Sequence, residues 1–85
     1  MTSTIEISLY PLNNEYTLSV LAFLQKLKDI PSVEMTTSGM STILIGPYAV
    51  LWPQLGNLMG NQMIKEDCVF VLKVAPGRRE YVDHA

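Results

Sequence analysis

The chain has 85 residues, 48% hydrophobic and 16% charged, with six basic and eight acidic side chains and a net charge of −2. That length makes one domain, 1–85, with a marginal core of its own. With no basic cluster beyond Arg78-Arg79, the composition excludes the electrostatic footprint of a nucleic-acid partner. A single cysteine excludes an intrachain disulfide, and no apolar run approaches the ~18 residues of a membrane span. The start has no signal-peptide pattern, so a cytoplasmic location is expected.

TIEISLY, Thr4 to Tyr10, alternates Ile5, Ile7 and Leu9 with polar neighbours, the period of a half-buried strand, and Pro11 closes it. Asn13 and Asn14 then offer an N-cap, and Glu15 suits the positive end of a helix dipole. Tyr16, Val20, Phe23, Leu24, Leu27 and Ile30 recur at helical spacing, and Leu18 and Leu21 widen the stripe. The expected helix runs from about Asn14 to Lys28, with Lys26 and Lys28 at its negative end and Pro31 beyond.

Val33 to Thr37 reads as the second strand, and Met40 or Ser41 to Ile45 as the third. Ser38-Gly39 reads as a two-residue turn, in which Gly39 supplies a positive φ. Such a turn sets Thr37 opposite Met40 and Met35 opposite Thr42. It puts Val33, Met35, Thr37, Met40, Thr42 and Leu44 on one face, and Thr36, Ser41, Ile43 and Ile45 on the other.

Gly46-Pro47 leads into a second helix, about Tyr48 to Asn61, with Val50, Leu51, Leu55, Leu58 and Met59 on its apolar side. It reads as weak, because Pro53 and Gly56 lie inside it and Gly60 near its end. DCVFVLKVA, Asp67 to Ala75, is a continuous apolar strand of the kind buried on both faces. Pro76-Gly77 stops it. The ordered core is thus about 4–75, and 76–85 is a polar tail that frays unless Tyr81 and Val82 dock on a neighbouring subunit.

The order strand, helix, strand, strand, helix, strand is that of a ferredoxin-like α+β fold, βαββαβ: a four-stranded antiparallel sheet with two helices on one face. The other face is left open. Val69, Val71, Ile43 and Ile45 can project there, so a homodimer or homotetramer packed through that face is expected.

Catalytic constellations are missing. The one histidine, His84, is a residue from the C-terminus, and Cys68 reads as a small core hydrophobe. No metal-ligand spacing and no phosphate-binding loop occurs, so no cofactor is implied and no enzymatic activity is expected. Glu6 and Glu34 can come near each other on the open face, where they read as solvated or interface charges rather than as an acid/base pair. Two features remain. The hydroxyls Thr36, Thr37, Ser38, Ser41 and Thr42 crowd one hairpin end. Either they satisfy turn backbone, or they line a cleft under the helices with Thr37, Met40 and Thr42 on its wall. In the second reading the broken helix is a movable lid. The rings of Tyr10, Tyr48 and Trp52 either pack at edges or stack on a flat cationic ligand, and Tyr16 reads as core.

SLYPL (Ser8 to Leu12), a tyrosine-bearing first helix, and MST (Met40 to Thr42) followed by Gly46 together resemble the YkoF-type family, whose members bind thiamine and its hydroxymethylpyrimidine moiety. The similarity spans about Ile5 to Val74. The resemblance implies a ferredoxin-like unit, often present as two tandem copies that associate through their sheets. Here one copy is present, so two chains would supply what one tandem chain does. It further implies a non-enzymatic carrier or salvage protein, with Ser8, Tyr10, Ser41 and Thr42 at the motif positions. The family commonly has a basic residue before the glycine and an acidic or small polar one after it; here Ile45 and Pro47 stand there. The candidate ligand-binding set is Ser8, Tyr10, Thr37, Met40, Ser41, Thr42, Tyr48 and Trp52. The alternatives are a structural or regulatory assembly module and, with less support from the residues, an enzyme on the same fold.

Overall fold

The computed structural model describes residues 1–38 and 41–79. In order come β1 (Thr2–Pro11), α1 (Tyr16–Leu27), β2 (Glu34–Thr37), β3 (Thr42–Pro47), α2 (Tyr48–Lys65) and β4 (Cys68–Pro76). The four strands form one antiparallel sheet in the order β2-β3-β1-β4. The helices cover one face, which makes the fold ferredoxin-like α+β. The slab measures 35 × 34 × 18 Å.

β1 is the longest strand, and its alternation decides the two faces. Ile5, Ile7 and Leu9 are buried under the helices, whereas Glu6, Ser8 and Tyr10 take the intervening positions on the open face. Leu44 from β3, Phe23 and Leu27 from α1, and Leu51 and Leu55 from α2 complete the core. Phe23 meets Phe70 of β4 with ring centroids 5.2 Å apart and tilted by 52°, a favoured aromatic geometry.

β4 does not behave as a strand buried on both faces. Phe70 and Leu72 are half-buried toward the helices, while Val69 and Val71 are about half exposed on the open face. The helix stripe is also narrower than its spacing suggests. Leu18 and Leu21 face solvent, because α1 rests on the sheet through Ser19, Phe23 and Leu27.

The first helix starts later than Asn14. The side-chain oxygen of Asn13 accepts the Glu15 N–H at 2.7 Å, an Asx turn that consumes the capping group just before the helix begins. Asn13 also donates to Glu66, as do Ser19 and Gln62, at 3.0, 2.8 and 2.8 Å. One carboxylate thus ties the start of α1 to the end of α2.

α2 continues to Lys65, four residues past Asn61, through Pro53, Gly56 and Gly60. Burial of Leu51, Leu55 and Gln62 outweighs the poor intrinsic propensity of its exposed side. Glycine has a separate reason at Gly46. It lies inside β3, and a Cβ there would stand 2.9 Å from the Ser32 carbonyl oxygen.

The β2–β3 turn is longer than two residues. Thr37 pairs with Thr42 and Met35 with Leu44, so four residues, 38–41, connect the strands. The Ser38 N–H and hydroxyl both donate to the Ser41 carbonyl, at 2.9 and 3.1 Å. Gly39 and its φ, and Met40 with its place on the helix-side face, lie outside the described residues. Tyr81, Val82 and His84 do so as well.

Candidate functional site

The mismatch between strands creates the site. The β1–β3 ladder ends at Ile7↔Thr42, but β1 runs on to Pro11 beside β4. A cleft of ≈110 Å³ opens at that step, between the hairpin end and α1. Its floor is apolar, with Ile7 and Leu9 from β1 and Val20, Phe23, Leu24 and Leu27 from α1. Its rim is polar, formed by Ser8, Tyr16, Thr37, Ser38, Ser41 and Thr42.

Thr42 is 3% exposed, so its hydroxyl needs a partner. It finds one in the Thr37 hydroxyl, 3.3 Å away across the directly opposed pair. Thr37 itself is exposed. A hydroxyl has one donor hydrogen and two acceptor sites, so a pair that shares one hydrogen bond keeps capacity for a ligand. The arrangement presents directed donors and acceptors on one wall and hydrocarbon on the other, the usual make-up of a small-molecule site.

The sequence-derived candidates divide. Thr37, Ser41 and Thr42 line the cleft together. Ser8 borders it too, although its position in the strand alternation belongs to the open face. Tyr10 does not line it. It stands on the open face across from Val69, 41% exposed. Tyr48 and Trp52 are at the other end of the molecule. They follow Pro47, which pairs with Thr2, and the five strand steps from Thr42 to Pro47 span roughly 17 Å. There they stack on each other, centroids 6.0 Å apart and 9° from parallel. The expected lid is also corrected, since no α2 residue lines the cleft and α1 forms the helical wall instead.

Tyr16 was to be expected in the core by its helical spacing, yet it is 49% exposed and sits on the rim. Its place at the first position of α1 is the signal that identifies it. A ring at a helix start overhangs the sheet's end rather than its centre.

On the open face, Glu6 and Glu34 do not form a carboxylate pair. Lys73 lies 3.7 Å from Glu6, and Arg78 bonds Glu34. The Arg78 guanidinium holds the Glu34 carboxyl below its ordinary range. Burial, and then the nearby charges of Glu66 and Asp67, push the Cys68 thiol up, which disfavours its reactive thiolate. Among the described residues no three His, Cys, Asp or Glu side chains gather as a metal site, and no helix is long and apolar enough to cross a membrane.

No family model and no curated protein matches the chain. Solved structures do. A protein from Streptococcus pneumoniae superposes with a TM-score of 0.81 at 17% identity, over 92% of this chain and 89% of that one. A provisionally assigned thiamine biosynthesis/salvage protein from Thermotoga maritima gives 0.77 at 12% identity, over 87% and 82%. A Bacillus cereus domain of unknown function gives 0.74 at 15% identity, over 99% and 84%. At such identities the likeness shows the fold: this chain has the ferredoxin-like architecture of a group of small proteins, one of them provisionally assigned to thiamine biosynthesis or salvage.

Proposed function

We propose that the cleft binds a small heteroaromatic molecule, thiamine or its hydroxymethylpyrimidine moiety, and that the protein acts as a carrier or salvage component without catalysing a reaction. The observation that carries this reading is the Thr37–Thr42 hydroxyl pair at the mouth of an apolar cleft. The Thermotoga maritima neighbour supports it at the level of the fold.

Size separates the two ligands. An enclosed apolar cavity of about 150 Å³ holds a benzene ring. A cleft of ≈110 Å³ with an open mouth therefore accommodates a single six-membered ring, not the whole of thiamine. The pyrimidine enters, with its ring nitrogens and amino group against the hydroxyls. The thiazolium stays at the rim, where Tyr16 is the aromatic ring within reach of a flat cation.

Isothermal titration calorimetry with thiamine and, separately, with hydroxymethylpyrimidine tests the reading. Saturable heat with both is the expected result, and no heat with either overturns it. Thr42→Val keeps the shape and removes the hydroxyl. It should weaken both ligands about ten-fold while leaving the melting temperature within a few degrees. Equal affinity in that variant removes Thr42 from the site.

A second reading, an assembly module, is favoured by Tyr10, Val69 and Val71, which lie exposed side by side on the open face. The two readings are compatible if a second copy of the chain covers that face, as a homodimer or as the unit of a homotetramer. Sedimentation at increasing concentration tests this, and Val71→Asp should shift the distribution to monomer.

A further inference from the structure

We infer a second binding site, for a compact oxyanion such as a phosphate or carboxylate group, on the open sheet face at the end remote from Tyr10. It is independent of the ligand cleft, since it lies on the opposite side of the sheet from the Thr37–Thr42 pair. A hollow of ≈200 Å³ lies there over Thr4, Glu6 and Ile43, with Lys73 and Arg79 at its border.

The fold builds this hollow with a specific device. After β4 the chain reverses at Gly77, whose φ of +75° is costly for any other residue. The Gly77 N–H donates to the Thr2 carbonyl at 2.7 Å. Thr4, 6% exposed, then fastens the returning segment twice: its hydroxyl donates to the Gly77 carbonyl and accepts the Arg79 N–H, both at 2.8 Å. Arg79 is thereby set beside Lys73, which β4 presents from the same face. With its hydroxyl both donating and accepting, Thr4 holds the Arg79 backbone at the edge of the hollow.

The charges fit an anion. The chain carries a net charge of −2, yet three of its six basic residues, including both arginines, gather at this end. Arg78 is engaged by Glu34. The Lys73 ammonium is 3.7 Å from Glu6 and its side chain is 81% exposed, so this contact leaves donors over. The Arg79 Nε donates to the Pro76 carbonyl at 3.1 Å, and among the described residues the two terminal nitrogens of its guanidinium have no bond and can meet a ligand. Lys and Arg converging on one hollow offer a point charge and a planar fork, the combination suited to an oxyanion. Glu6 opposes it from the floor and gives the site a direct internal control.

The test is a titration of the full chain with inorganic phosphate and, separately, with acetate at low ionic strength, followed by the amide resonances of Thr4, Ala75 and Arg79. Saturable shifts with either anion are expected, reversed by added chloride. Lys73→Ala and Arg79→Gln should each weaken the affinity about ten-fold. Arg79→Gln keeps the backbone N–H on Thr4, so a loss there reports the guanidinium. Glu6→Gln should strengthen the affinity, which a merely structural role for these residues would not produce. Shifts that stay linear with both anions, or that are the same in all three variants, overturn the site. Thr42→Val should leave the anion affinity unchanged, so the failure of one site is distinguishable from the failure of the other.

Discussion

Thr37 and Thr42 show what a single cross-strand pair can do: two ordinary strand residues become a polar wall because they face each other at the last rung of the β2–β3 ladder. Their position under the helices follows from alternation alone and is legible in the sequence. Which aromatic ring joins them is not, since Tyr16 and Tyr48 both open helices, with Trp52 one turn on, and only the topology decides which end of the sheet each occupies. Tyr16→Ala should therefore lower thiamine affinity about three- to five-fold and hydroxymethylpyrimidine affinity much less, the difference being the cation–π contribution of an exposed ring. Equal losses for the two ligands would place the thiazolium elsewhere. At Cys68 the raised thiol favours the protonated form in the folded state. That contribution to stability is complete below the thiol's ordinary value and disappears as pH rises through the raised one. Alkylation at neutral pH should accordingly be slower for the folded protein than for the chain in denaturant, which a thiol-reagent time course measures.

Among the elements, the six segments and their order can be read from periodicity, because the core positions of β1, α1 and β3 repeat at 2.0 or 3.6 residues. Two boundaries cannot. The end of α2 depends on Leu55 and Gln62 being buried against the rest of the molecule, a tertiary effect that propensity at Gly56 and Gly60 does not contain. A Cβ at either glycine would meet nothing within 4 Å. Gly56→Ala and Gly60→Ala should each raise stability by about 1 kcal/mol in chemical denaturation. Gly46→Ala should do the reverse, by roughly 1–3 kcal/mol, because the new methyl meets the Ser32 backbone. The turn length was hidden for another reason. A two-residue and a four-residue connection give identical faces, so alternation cannot distinguish them. Parity then becomes a design rule: removing two residues between Thr37 and Thr42 should preserve the faces, while removing one should turn β3 over and prevent folding.

For the whole molecule, the two sites proposed here lie on opposite sides of one sheet and draw on different chemistry. The cleft uses neutral hydroxyls over hydrocarbon, and the hollow uses charge over a mixed floor of Thr4, Glu6 and Ile43. Titration with salt should therefore separate them: raising ionic strength should abolish the phosphate response and leave hydroxymethylpyrimidine binding nearly intact. The slab shape has a hydrodynamic consequence of its own. At 35 × 34 × 18 Å the single chain is an oblate particle about half as thick as it is wide. Two such plates stacked through the open face would double the mass and bring the three axes nearly level, so the frictional ratio would fall as the particle grew. Small-angle scattering would then record twice the forward intensity at the same mass concentration with little change in the maximum dimension. Pairing edge to edge would instead lengthen the particle, so a single scattering curve tells a sandwich from an extended sheet.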